Sequence, residues 1–204
     1  MPIEIEKKYR LTKKQRDEVL ERLPAIGAKC KGEDFEENIL YAGDTINVTR
    51  SVLRLRRIGK RGVLTFKESL PARQDIKQRR EDETRVDDAD AMALILEALG
   101  FTPALVYEKR RVTWRLGPTE IVIDELPFGL FMEIEGLEKD IREVEAKLAI
   151  KRLRTEALSY PRLVLVHGAR NGGVIESRFV NKKRERRPRP LGTKPPGSIT
   201  RKGT

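Results

Sequence analysis

The ten residues Met1-Pro2-Ile3-Glu4-Ile5-Glu6-Lys7-Lys8-Tyr9-Arg10 decide how the rest of the chain is read. On a β-strand successive side chains point to opposite faces, so Glu4, Glu6 and Lys8 share one face while Ile3, Ile5 and Tyr9 share the other. One face is apolar and the other carries three charges. With 37% charged residues in the chain, a Glu-x-Glu-x-Lys triplet arises by chance about once. Its weight depends on whether other strands repeat the pattern.

They do. Arg54 and Arg56 stand opposite Leu53 and Leu55, and Thr65 and Lys67 stand opposite Leu64 and Phe66. Arg79, Glu81 and Glu83 alternate likewise. Lys109 and Arg111 oppose a face that includes Val112 and Trp114, Asp124 opposes Ile121 and Ile123, and Glu133 and Glu135 oppose Met132 and Ile134. A solvated sheet face favours a scatter of Ser, Thr, Gln and Lys. Here acids concentrate on strands one, five, seven and eight and bases on strands three, four and six, a segregation that calls for a bound partner.

The intervening stretches supply helices and turns. Thr12 to Gln15 has capping-box spacing, and Val19, Leu20 and Leu23 form an apolar stripe before Pro24 and Gly27. Residues 28–42 read as extended, and Gly59-Lys60-Arg61-Gly62 is a hairpin connection. Asp87 or Asp88 can cap a helix lined by Met92, Ile95, Leu96 and Leu99, with Gly100 at its end. Strands are expected over about 105–116, 119–125 and 130–136, and helices over 137–154 and 160–166. The whole reads as an α+β fold, an eight-stranded antiparallel barrel whose apolar outer faces are covered by helices. Closure removes the sheet edges. The charged faces then point inward, and so many charges cannot be buried dry, so the lumen must hold water, ions and ligand.

At 204 residues the prior is a single domain, expected over 1–170, with a tail over 171–204. Ten Lys or Arg between residues 176 and 204 face only Glu176 and Glu185, so that stretch holds +8 of the net +11. Rich in Pro and Arg and without apolar periodicity, it is expected to be disordered, at most a weak polyanion or nucleic-acid contact. No stretch approaches the length of a membrane span and no signal-peptide core is present, so a cytoplasmic protein is expected. Lone Cys30 and lone His167 leave little for thiol-His or zinc-finger chemistry. Closely set carboxylates without His or Cys suit hard cations such as Mg²⁺ or Mn²⁺, and convergent Arg and Lys suit phosphate oxygens. A site with both halves fits a metal-bound polyphosphate chain.

Glu4-x-Glu6-x-Lys8, Leu53-Arg54-Leu55-Arg56, Thr65-Phe66-Lys67, Arg79-x-Glu81-x-Glu83, Lys109-x-Arg111, Asp124 and Gly129-x-Phe131-x-Glu133-x-Glu135 resemble, in order, the motifs of the CYTH superfamily of triphosphate tunnel enzymes. The resemblance covers about residues 1–166, including Ser159-Tyr160 in what looks like the family's C-terminal helical segment. It implies a tunnel binding a triphosphate with a divalent metal. Lys8, Arg54, Arg56, Lys67, Lys109 and Arg111 would hold phosphates, and Glu4, Glu6, Asp124, Glu133 and Glu135 would hold metal. Glu81 and Glu83, with Arg79, either join the metal site or orient the cations. Where many members have an aromatic-Asp-Thr-Pro segment this chain has Tyr41-Ala42-Gly43-Asp44-Thr45, so Asp44 receives no role. The expected reaction is hydrolysis of a terminal phosphate, with Lys109 or Lys8 as the catalytic lysine. An adenylyl cyclase of the same superfamily, converting ATP to cyclic AMP and pyrophosphate, is the alternative. A non-catalytic polyphosphate or RNA-binding module is the second.

Overall fold

The structure, a computed structural model, describes residues 5–46, 50–70 and 78–180. In chain order the elements are β1 (Glu6–Leu11), α1 (Lys13–Ala25), β2 (Lys29–Ala42), β3 (Ser51–Ile58), β4 (Arg61–Leu70), β5 (Gln78–Val86), α2 (Ala89–Ala98), β6 (Thr102–Leu116), β7 (Thr119–Leu126), β8 (Gly129–Glu135), α3 (Glu138–Lys147), α4 (Tyr160–His167), β9 (Ala169–Asn171) and β10 (Val174–Ser177). None of the helices is long and apolar enough to cross a membrane.

Local chemistry sets the helix starts. The Thr12 side chain accepts the Gln15 backbone N–H at 3.2 Å while the Gln15 side chain accepts the Thr12 N–H at 2.8 Å, a reciprocal cap that satisfies two otherwise orphaned donors. Asp88 accepts the N–H groups of Asp90 and Ala91, both at 3.0 Å, to start α2.

Eight strands form one antiparallel sheet in the order β1-β8-β7-β6-β2-β3-β4-β5. The first strand and the last of the eight lie side by side, with Glu6 opposite Glu135 and Lys8 opposite Glu133. Among the described residues no ladder joins the two ends of that order, β1 and β5. The free edge of β1 is instead taken by the connection between α3 and α4. Arg10 N–H donates to the Arg154 carbonyl, Glu156 N–H donates to the Lys8 carbonyl, both at 2.9 Å, and Tyr9 bridges Thr155.

The two faces of the sheet differ as the alternation predicts. On the outer face α1 and α3 pack Val19, Leu23, Ile141 and Val144 against Tyr9, Ile121, Ile123, Met132 and Ile134. Further along, Leu96 of α2 packs against Ile39, Leu53, Leu55 and Val106. The inner face carries the charges, and at one end of it α4 lays Tyr160, Leu163 and Val164 on Leu105, Tyr107, Leu126 and Phe131.

Two boundaries differ from the sequence reading. The helix expected to reach Arg154 ends at Lys147, where Ala149 adopts φ 54°. Leu148 and Ile150 are both drawn into the outer core, so the chain reverses there and runs back along β1. Within the stretch expected as tail from residue 171, β9 and β10 form a hairpin. Its second strand pairs in parallel with Leu105–Tyr107 of β6, a stretch of β6 that β7, paired only with Arg110–Leu116, does not reach. Residues 181–204 lie outside the described residues.

Candidate active site on the inner face of the sheet

Register places the charged residues. Arg56 stands opposite Asn38, Asn38 opposite Tyr107 and Glu36 opposite Lys109, and Arg111 opposite Asp124. Directly opposed residues of antiparallel strands share a face, so β3, β2, β6 and β7 present one continuous polar surface, which Glu133 of β8 and Lys8 of β1 extend.

Asp124 is its buried centre, 0% exposed. Arg111 grips it in a fork, Nε to Oδ1 at 2.7 Å and Nη2 to Oδ2 at 2.6 Å, the planar geometry that makes Arg–carboxylate pairs strong. The Tyr160 hydroxyl donates to Oδ2 at 2.8 Å, and Lys109 Nζ lies 3.6 Å from the same oxygen. Burial alone would push the Asp124 carboxyl up, but Lys109 and the Arg111 hydrogen bonds outweigh it and hold the group at about 2. Lys109, only 2% exposed, is shifted below the ordinary lysine range. Burial is the main cause and Arg111 adds to it, against the opposing pull of Asp124 and Glu36.

Arg111 also reaches Glu133 Oε2 at 2.8 Å. The other Glu133 oxygen lies 3.1 Å from Lys8 Nζ, which is 3.5 Å from Glu6 Oε1 and donates to the Leu158 carbonyl at 3.2 Å. Tyr160 serves both lysines: its ring centre is 4.2 Å from Lys8 Nζ and 5.3 Å from Lys109 Nζ, within cation–π range. Glu6 is raised to about 7, first by burial and then by the neighbouring Glu133.

The β3–β5 side has fewer acids. Arg54 Nη2 donates to Thr65 Oγ1 at 3.2 Å, and that hydroxyl donates to Glu83 Oε2 at 3.1 Å. Lys67 Nζ meets Glu81 at 2.8 Å. The Nε atoms of Arg54 and Arg56 and the Asn38 carbonyl oxygen are buried and make no hydrogen bond among the described residues. Burial and the adjacent Arg56 lower the Arg54 pKa.

The structure thus brings Lys8, Arg54, Arg56, Lys109, Arg111, Asp124, Glu133 and Glu6 onto one surface, with Glu135 beside Glu6 in register. Lys67 sits further out on β4, while Glu81 contacts Lys67 and Glu83 contacts Thr65. Glu4 and the Arg79 side chain lie outside the described residues. Among the described residues no three of His, Cys, Asp or Glu converge as a preformed cation site. Glu6 and Glu133 nevertheless fit a hard divalent cation. They are carboxylates close enough to raise the pKa of Glu6, and an added cation would relieve that repulsion. Asp124 fits less well, because Arg111 and Tyr160 already occupy both its oxygens.

Three inner-face residues escape the sequence pattern. Glu36, 2% exposed, lies 3.3 Å from both Arg56 Nε and Lys109 Nζ, and those two cations with Arg111 hold its carboxyl below the ordinary value despite burial. Asn38 donates to Glu36 Oε2 at 3.3 Å. Their strand reads Glu33-Asp34-Phe35-Glu36-Glu37, with acids on both faces, so a period of two is masked. Tyr160 comes from a helix, where strand alternation carries no signal.

The family model of the CYTH domain matches residues 2–162. The chain belongs to the CYTH domain family. A Methanocaldococcus jannaschii protein named "putative adenylate cyclase" is 30% identical over 150 residues, spanning 72% of this chain and 83% of its own. A Pyrococcus horikoshii structure superposes with a TM-score of 0.65 at 25% identity, over 79% of this chain and 99% of that one. A Hippeastrum structure, described as a "putative adenylyl cyclase" with a dominant triphosphatase activity, matches with a TM-score of 0.59 at 16% identity, over 78% and 93% of the two chains. At that identity it speaks for the fold alone.

Proposed function

We propose that this protein is a metal-dependent triphosphatase that removes the terminal phosphate of inorganic or organic triphosphates. The observation that carries the reading is the pair of buried Nε donors on Arg54 and Arg56 that make no hydrogen bond among the described residues, beside an Asn38 oxygen that accepts none there either. Buried guanidinium donors without acceptors are costly, and phosphate oxygens are the acceptors their planar forks match. Arg54, Arg56, Lys67, Lys109, Arg111 and Lys8 bind and orient the phosphate chain. Glu6 and Glu133, with Glu4 and Glu135, hold Mg²⁺ or Mn²⁺, which when bound neutralises phosphate charge. Asp124 fixes Arg111 and Lys109 in place. Lys109, its pKa lowered chiefly by burial, takes the proton of the attacking water. Lys8, fixed by Glu133 and Leu158, steadies the phosphate nearest β1. Phosphoryl transfer needs mainly positioning and charge neutralisation, which this set supplies without a covalent nucleophile.

The name of the M. jannaschii relative favours a second reading, cyclisation of ATP with loss of pyrophosphate. Both reactions use a metal-bound triphosphate, so products separate them. Incubation with ATP and with tripolyphosphate in Mg²⁺ or Mn²⁺ is expected to yield orthophosphate. Cyclic AMP and pyrophosphate from ATP, with tripolyphosphate untouched, would establish the cyclase instead.

A further inference from the structure

Glu36 is a fully buried acid in the middle of the cations that hold the substrate under the function proposed above. Its Oε2 is 3.3 Å from Arg56 Nε and 3.3 Å from Lys109 Nζ, and its Oε1 is 3.9 Å from Arg111 Nε. On the β1–β8–β7 side Asp124 and Glu133 bind Arg111, Lys109 and Lys8, and on the β4–β5 side Glu81 binds Lys67 while Glu83 accepts from Thr65. Arg56 Nε lies 3.3 Å from Glu36 Oε2 and makes no hydrogen bond among the described residues. Glu36 therefore sits on β2 between these two sides, where a phosphate bridging Arg56 and Lys109 would come to lie.

We propose that Glu36 is a built-in counter-ion of the phosphate site, which holds Arg56, Lys109 and Arg111 together in the empty site and competes with phosphate for them, so that bound product leaves. A fixed negative charge about 4 Å from the binding position weakens anion affinity about fivefold even at the dielectric of water, and by about tenfold or more at the lower effective dielectric of a buried site. An inner face lined by cations without such a charge would retain its phosphate products. The repulsion between Glu36 and a bound anion sets how tightly product is held.

The test is the Glu36→Gln variant, which keeps the shape and the amide contact with Asn38 but removes the charge. Titration calorimetry with tripolyphosphate and with orthophosphate, in the absence of metal, is expected to show binding tightened about tenfold or more for both. In steady-state hydrolysis kcat and KM should fall together, because release becomes limiting. Unchanged or weaker binding, or a raised KM, would show that Glu36 only scaffolds the cations and would overturn the proposal. Should Glu36→Gln fail to fold, Glu36→Asp decides the matter: its shorter carboxylate withdraws from the three cations, and tripolyphosphate must bind about threefold tighter, with equal or weaker binding counting against the proposal. The two readings fail differently. A wild-type protein that neither binds nor hydrolyses tripolyphosphate contradicts the proposed function, whereas a wild-type protein that does both without the gain in Glu36→Gln contradicts only the role of Glu36.

Discussion

Tyr160 shows how one residue can serve several others. Its hydroxyl completes the shell of Asp124 while its ring lies against Lys8 and Lys109. Tyr160→Phe keeps the ring and loses the hydroxyl, so Asp124 keeps Arg111 but loses one donor. The folded state should lose about 1 kcal/mol, the net worth of one hydrogen bond, and kcat should fall several-fold while KM changes little. Tyr160→Leu also removes the cation–π surface and should raise KM as well. Thermal melts and steady-state kinetics of the two variants separate these contributions. Glu6 makes a prediction of opposite sign from most carboxylates. It keeps its proton up to about pH 7 in the folded chain, against 4.5 ordinarily, because burial and Glu133 disfavour its charged form. Between those values the folded protein holds more protons than the unfolded one, so stability falls as pH rises through that window. The side chain is 47% exposed, so solvent damps the effect. Melting temperatures of metal-free protein from pH 5 to 8 should therefore decline more steeply than those of Glu6→Gln, and added Mg²⁺ should recover stability at pH 8 more than at pH 5.

At the scale of elements, the hairpin of β9 and β10 matters more than its seven residues suggest. On the outer face Glu37 of β2 stands directly opposite Glu108 of β6, and like charges in that position destabilise a sheet. Arg178, just after β10, donates from Nη1 to Glu37 at 2.5 Å and to Glu108 at 3.1 Å, and the Phe179 N–H adds a bond to Glu108 at 2.8 Å. The clamp lies one residue along from the Glu36–Lys109 pair, so it secures the register of the strands that carry the site. Arg178→Ala should cost about 1–3 kcal/mol by removing the cation that two opposed carboxylates share, visible as a lower urea midpoint, and Glu108→Gln in that background should recover part of the loss. The sequence showed Arg178 only as one more cation at the head of a basic stretch, because its two partners are distant in the chain and lie on a face otherwise read as apolar. The early end of α3 was equally hidden. Ala149 is a good helix former, and only the pull of Leu148 and Ile150 into the outer core, followed by the pairing of residues 154–156 with β1, forces the reversal.

For the whole molecule, the alternation of Glu4 to Tyr9 and its repeats was enough to read the antiparallel sheet, its outer helices and its polar inner face, because a period of two translates directly into two faces. Pairing order was legible only where the charges demanded it: Glu4 and Glu6 had to meet Glu133 and Glu135, and β1 does lie beside β8, with Glu6 opposite Glu135. What alternation cannot reveal is a residue on a strand with acids on both faces, such as Glu36, or one delivered by a helix, such as Tyr160. The central claim is that the inner face binds a triphosphate through Arg54 and Arg56 and hydrolyses it. The most direct measurement is orthophosphate release from tripolyphosphate with Mg²⁺ or Mn²⁺, by wild-type protein and by Arg54→Ala/Arg56→Ala, with the melting temperature of each recorded. The prediction is one orthophosphate and one pyrophosphate per tripolyphosphate from the wild type, and a loss of about a hundredfold or more in the double variant, the scale of two charge-assisted hydrogen-bonding groups, with the fold retained. No release by the wild type, or full release by a folded double variant, would contradict it.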